Sequence, residues 1–173
     1  MESNVGASME GKLPLFIVTG SSGSGKTFVI PELRGIMPDF DIHDIDSLRE
    51  VGVTDEQTIR NVWLRVAKNA AESGRMTIIC GTAMTWDIEK CFDFAYFKHV
   101  YYLNLHCDDQ TREQRLRARH WPEDMIEDYK KFAAWLVENA DKAYSPPMPV
   151  VDTTAAHVAD IAAQIKNWVL RYA

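Results

Sequence analysis

The sequence predicts an α/β protein with a parallel sheet covered by helices on both faces. Three observations carry that expectation. Short β-rich runs alternate with helix-patterned segments along the chain. The run Leu15-Phe16-Ile17-Val18-Thr19 is apolar almost throughout, as a strand buried on both sides must be. It passes through a glycine-rich turn directly into a helical segment. Five strands separated by helices require right-handed crossovers and leave no linker that would divide two domains.

The elements follow in order. After the first strand, a helix is expected from Gly25 to about Ile36, with Pro31 in its early turns as a source of a kink. Phe40–Asp46 alternates apolar and polar residues as a second strand. Thr54 and Gln57 resemble a capping box opening a helix to about Ser73, with Gly74 as its stop. Met76–Cys80 and Val100–His106 are the third and fourth strands, with a short helical stretch around Trp86–Phe94 between them. Asp109–Ala140 is helical with a break near His120-Trp121-Pro122. Ser145–Pro149 is a proline-rich connector, Val150–Asp152 a brief fifth strand, and Val158, Ile161, Ile165, Trp168 and Val169 share one side of a last helix.

With 173 residues the chain fits one domain, and 46% hydrophobic with 25% charged residues is ordinary for a soluble globular protein. A net charge of −6 gives no general attraction to nucleic acid or anionic membrane. Cys80, Cys91 and Cys107 lack CxxC or zinc spacing and read as reduced thiols of a cytoplasmic protein. No apolar run approaches membrane-spanning length, and the opening MESNVGASMEGK lacks the apolar stretch of a signal peptide. Residues 1–11 read as an N-terminal extension or cloning remnant, with Met9 an alternative start, and residues 12–173 as the single domain. Monomer and homodimer both stay open.

Gly20-Ser21-Ser22-Gly23-Ser24-Gly25-Lys26-Thr27 matches G-x-x-x-x-G-K-[ST] in full. The glycines let backbone N–H groups converge on an anion, and the following helix adds its N-terminal dipole. Lys26 can reach β- and γ-phosphates, and the Thr27 hydroxyl can ligate Mg2+. No N-K-x-D guanine reader occurs, and the third strand ends Ile78-Ile79-Cys80-Gly81-Thr82 without the acid that motor ATPases carry. Both readings weaken accordingly.

Asp44 and Asp46 lie two residues apart at the end of the second strand, where i and i+2 point the same way. That edge is where open α/β sheets bind ligands. One carboxylate can orient or deprotonate a hydroxyl and the other can hold magnesium. On a helix, Arg112, Arg115 and Arg119 form one stripe while Arg117 falls elsewhere. Such a row suits the spreading charge of a transferring phosphoryl group, and Trp121-Pro122 would begin a lid-like turn.

Together these motifs resemble the small P-loop kinases, the nucleoside monophosphate kinases with their shikimate, gluconate and chloramphenicol kinase relatives, over nearly the whole chain after residue 12. The resemblance implies a three-layer P-loop fold with sheet order 2-3-1-4-5 and a lid near residues 112–130. It implies ATP and Mg2+ as cofactors, with Thr27 and Asp44 on the metal. Lys26, Asp46, Arg115 and Arg119 become the catalytic candidates. Arg115, Asp152 and Thr153 would flank the nucleotide, and Gly81 and Thr82, with Asp46, would border the acceptor. The triple glycine of shikimate kinases and the D-G-[FY]-P-R of adenylate-type kinases are missing, so the acceptor stays open. The expected activity is transfer of the γ-phosphoryl group to a small hydroxyl- or phosphate-bearing molecule. The competing expectation is a nucleotide-binding ATPase or regulator acting on a protein partner.

Overall fold

The computed structural model describes residues 12–173; the expectation for residues 1–11 lies outside them. Five strands, β1 (Leu15–Thr19), β2 (Asp41–Asp44), β3 (Thr77–Cys80), β4 (Val100–His106) and β5 (Val150–Asp152), form one sheet. Its order is β2-β3-β1-β4-β5 and every pairing is parallel. The helices are α1 (Lys26–Ile36), α2 (Glu56–Glu72), α3 (Thr85–Glu89), α4 (Asp109–Ala118), α5 (Glu123–Glu138) and α6 (Val158–Tyr172), with 3-10 segments at Ile45–Val51 and Phe94–Tyr96. No helix among the described residues is long and apolar enough to cross a membrane.

The sheet is buried because its central strands are apolar on both faces. Phe16, Val18, Ile78, Leu103 and Leu105 pack one face against Val29 and Leu33 of α1 and Ile165 and Val169 of α6. Leu15, Ile17, Ile79 and Val100 pack the other against Ile59 and Leu64 of α2 and Ile88 of α3. A smaller cluster, Met84, Leu136, Tyr144 and Met148, seats α5. Burying one such side chain contributes ~1.5–3 kcal/mol, so the two sheet faces dominate the driving force for folding. Met84 belongs to this packing, whereas Trp86 stays 45% exposed and meets Trp135 edge-on at 5.8 Å.

Several boundaries differ from expectation for local reasons. β2 ends at Asp44, because that carboxylate accepts the Asp46 N–H at 2.9 Å and turns the chain into the 3-10 segment. Asp46 thus leaves the strand, and the two acids do not share a strand face. The cap of α2 is Asp55, whose carboxylate accepts from the Thr58 N–H at 2.8 Å and the Thr58 hydroxyl at 2.7 Å. Gln57 instead donates to the Asp87 carbonyl, at 3.2 Å. α1 runs through Pro31 to Ile36. The break between α4 and α5 falls where expected, with His120 at φ 59° in the left-handed region.

Candidate active site around the glycine-rich loop

β1 delivers the chain to Gly20, and α1 begins six residues later at Lys26. Gly23 and Gly25 hold φ of 86° and 95°, a left-handed backbone that aims successive N–H groups inward. The α1 N-terminus has Gly25 as its cap, no capping side chain and no acid in its first turn. Its first N–H groups are left for an anion. Lys26 curls over this loop, donating to the Ser21 carbonyl at 3.0 Å and the Ser24 hydroxyl at 3.4 Å. Burial lowers its pKa to about 8, although the charges of Asp46 and Asp44 act to raise it.

The loop is braced from below by side chains whose polar groups are already used. Ser21 donates its hydroxyl to the Tyr129 carbonyl of α5 at 2.8 Å. Arg112, fully buried, donates to the Ser22 carbonyl at 2.5 Å and the Cys107 carbonyl at 3.2 Å. Arg115 donates to the Gly23 carbonyl at 2.9 Å and to the Thr153 carbonyl at 3.1 Å. Thr153 donates its hydroxyl to the Ser24 carbonyl at 2.8 Å. Capturing these carbonyls leaves the loop N–H groups as the groups an arriving anion meets. The arginine stripe therefore divides. Arg112 and Arg115 hold the loop, and Arg117 pairs with Glu123 and Glu113 away from it. Arg119 is exposed at the mouth of the adjoining cavity.

Two of the cavities that border the loop concern the site. One, of about 290 Å³, is walled by Gly23, Gly25, Phe28, Arg115, Arg119, Thr153 and Val158. Phe28 leaves 75% of its surface exposed at this rim. Sequence reasoning passed over it, although a large aromatic directly after Gly-Lys-Thr on an otherwise amphipathic helix was a usable signal. Asp152 does not line the cavity; its carboxylate accepts the Thr154 N–H at 2.8 Å. The second cavity, of about 470 Å³, contains Ser22, Asp46, Arg49, Glu56, Arg60, Thr82, Trp121 and Tyr129. Asp46 is exposed there, with one oxygen taken by Arg49 at 3.0 Å. Thr82 borders this cavity and donates to the Gly20 carbonyl at 2.8 Å. Gly81 does not; a Cβ there would come within 1.8 Å of the Ile45 side chain, so its role is close packing.

The Thr27 hydroxyl donates to Asp44 Oδ2 at 3.1 Å, bringing two oxygen ligands together beside the loop. Among the described residues no three His, Cys, Asp or Glu side chains converge on one point. A hydroxyl and a carboxylate suit Mg2+, which keeps waters and takes further oxygens from phosphates, and they do not suit a metal caged by protein alone.

Fold, loop and flanking cavities define a P-loop protein of the small-kinase architecture. No protein-family model and no curated sequence matches the chain. Solved structures do. A shikimate kinase from Acinetobacter baumannii, in complex with shikimate, is similar with a TM-score of 0.61 at 19% identity, over 93% of this chain and 95% of that one. A sugar kinase from a Janibacter species gives 0.59 at 17% identity, over 93% and 96%. A gluconokinase from Sinorhizobium meliloti gives 0.55 at 17% identity, over 92% and 98%. The chain has the fold of the small P-loop kinases, and no subfamily among them is assigned.

Proposed function

We propose that the protein transfers the γ-phosphoryl group of ATP, with Mg2+, to an oxygen of a small molecule bound in the Asp46 cavity. The observation that supports this most strongly is the pair of cavities on either side of one phosphate-shaped loop. Ser22 lines one, and Gly23 and Gly25 line the other. A nucleotide with its base against Phe28 and its phosphates along the loop would direct the terminal phosphate toward the second cavity. An ATPase driven by a protein partner needs only the first cavity.

Each residue then has a role its surroundings support. The loop N–H groups and Lys26 bind the phosphate chain, and Arg119 adds an exposed guanidinium from the rim. Arg115 and Thr153 keep the loop in shape beside the nucleotide. Thr27 and Asp44 would hold Mg2+, which when bound neutralises phosphate charge. Asp46 keeps one oxygen free of Arg49 and takes the proton of the acceptor hydroxyl. The acceptor oxygen bonds to the γ-phosphorus as the bond from that phosphorus to the β-bridging oxygen breaks. ADP and a phosphorylated acceptor result. Trp121 and Tyr129, 5.2 Å apart, lie where they can shield the reaction from water. The buried, unpaired Cys80, Cys91 and Cys107 support a reducing, cytoplasmic setting.

The test is ADP release measured with and without candidate acceptors. A kinase accelerates strongly with a particular acceptor. Release that ignores every acceptor and rises only with a protein partner would favour the regulatory ATPase.

A further inference from the structure

The charges of the acceptor cavity limit what can enter it. Four charged side chains line it, Asp46, Arg49, Glu56 and Arg60. Asp87, from α3, approaches Arg60 from behind at 3.7 Å. Three carboxylates thus stand against two guanidinium groups, and both of those are engaged. Arg49 pairs with Asp46 at 3.0 Å and with Glu56. Arg60 lies between Glu56 at 3.5 Å and Asp87 at 3.7 Å. Two further cations act nearby: Lys26, whose charge acts on Asp46 but which the phosphate chain would engage, and Arg119, which lines the other cavity.

We infer that the acceptor is a small polyhydroxylated molecule carrying no negative charge, rather than a carboxylate, a phosphate ester or a nucleotide. The inference rests on the Asp46 cavity being the acceptor site. An anionic acceptor would add a like charge to three carboxylates. It could be matched only by drawing an arginine off its acid, leaving that acid unpaired in a partly closed cavity. A hydroxyl group needs no such exchange, because it donates to a carboxylate and accepts from a guanidinium at once. Arg60 can give such a hydrogen bond without leaving its acids, because its terminal nitrogen stands 3.5 Å from Glu56 and 3.7 Å from Asp87, at the limit of hydrogen-bond reach or beyond it. Trp121 and Tyr129 supply an apolar wall for the carbon face of a ring, and the volume of about 470 Å³ has room for one ring with its waters. The surplus carboxylate also tolerates an amine on the acceptor.

The experiment uses label transfer from γ-labelled Mg-ATP to acceptors in matched pairs that differ by an acid group. Suitable pairs are glucose with glucuronate, glycerol with glycerate, inositol with inositol phosphate, adenosine with AMP, and methyl shikimate with shikimate; glucosamine adds a cationic case. The inference predicts that a neutral or amine-bearing member is used at least about tenfold better than its acidic partner, the scale set by one like-charge contact at partly screened distance. Glu56→Gln, which removes one carboxylate, should narrow that ratio by raising use of the acid. Preference for the acidic members, or a ratio unmoved by Glu56→Gln, overturns the inference and leaves the kinase reading standing. Hydrolysis of ATP with label reaching no acceptor overturns the kinase reading, and the inference with it.

Discussion

Neutralising Arg112 should separate what the fold needs from what phosphate binding needs. Its guanidinium is fully buried, bonds only to the carbonyls of Ser22 and Cys107, and leaves Nε without a partner. Burial pushes its pKa below the usual arginine value, with Asp109 opposing the shift and Arg115 adding to it. Removing such a cation from water costs several kcal/mol, while each charged hydrogen bond returns only ~1.5–3 kcal/mol. The two nearly cancel in the free protein. Arg112→Met, similar in length, should therefore change unfolding free energy by no more than about 1 kcal/mol or stabilise it. Bound phosphate changes the balance. One unit of opposite charge at ~8 Å is worth ~2 kcal/mol at an effective dielectric constant near 20. ATP affinity should then fall on the order of tenfold to a hundredfold, by calorimetric titration, while adenosine affinity holds. Arg112→Lys, which keeps the charge, should lose much less. A variant that melts well below the parent yet binds ATP normally would make Arg112 a scaffold residue only. Equal losses for ATP and adenosine would point to a collapsed site instead.

Other outcomes follow from the same geometry. Lys26→Ala should stay folded but lose most of the thermal stabilisation given by Mg-ATP, because ligand linkage needs affinity for the native state. The pH dependence of nucleotide binding should break near the Lys26 pKa of about 8. Bound phosphate raises that pKa, so the complex holds more protons above the break. Affinity is flat below pH 8 and weakens above it, by up to about tenfold per pH unit; in Lys26→Arg the break disappears. Asp46→Asn should cut turnover by ~10²–10⁴-fold with ATP affinity nearly unchanged, as loss of a positioned base does. Asp44→Asn should instead raise the Mg2+ concentration needed for half-maximal rate, and a chelator should abolish turnover until metal is restored. Small and similar effects in the two aspartate variants would return both to loop structure.

What was legible in the sequence was what local chemistry decides. β4 coincides with its expected bounds because Val100, Tyr101 and Tyr102 favour a strand, and β5 because Pro146, Pro147 and Pro149 end the connector just before it. The loop and the break after α4 were equally plain, each marked by residues with special backbone preferences. Where two local devices competed, the reading slipped. Thr54 and Asp55 both can cap α2, and Asp55 prevails through a two-bond contact with Thr58. Asp44 ends its own strand by capping the next turn, which moves Asp46 off the strand edge and into the cavity. Contacts distant in sequence were beyond reach. Helical spacing put Arg112 on a stripe with Arg119, but only packing against Ser22, 90 residues away, buries the first, while Arg119 stays exposed. Arg60 and Glu56 join the Asp46 cavity because α2 packs against the segment after β2, a tertiary placement with no periodic signature.

The central claim is that one loop serves two cavities and moves a phosphoryl group from one to the other. Following the γ-phosphate of labelled ATP, with Mg2+, against small hydroxyl compounds tests it most directly. The label should appear in a phosphate ester of one acceptor class, vanish with a chelator, and fall by at least about a hundredfold in Asp46→Asn. Label recovered solely as inorganic phosphate, at a rate no small molecule alters and Asp46→Asn leaves intact, would contradict it.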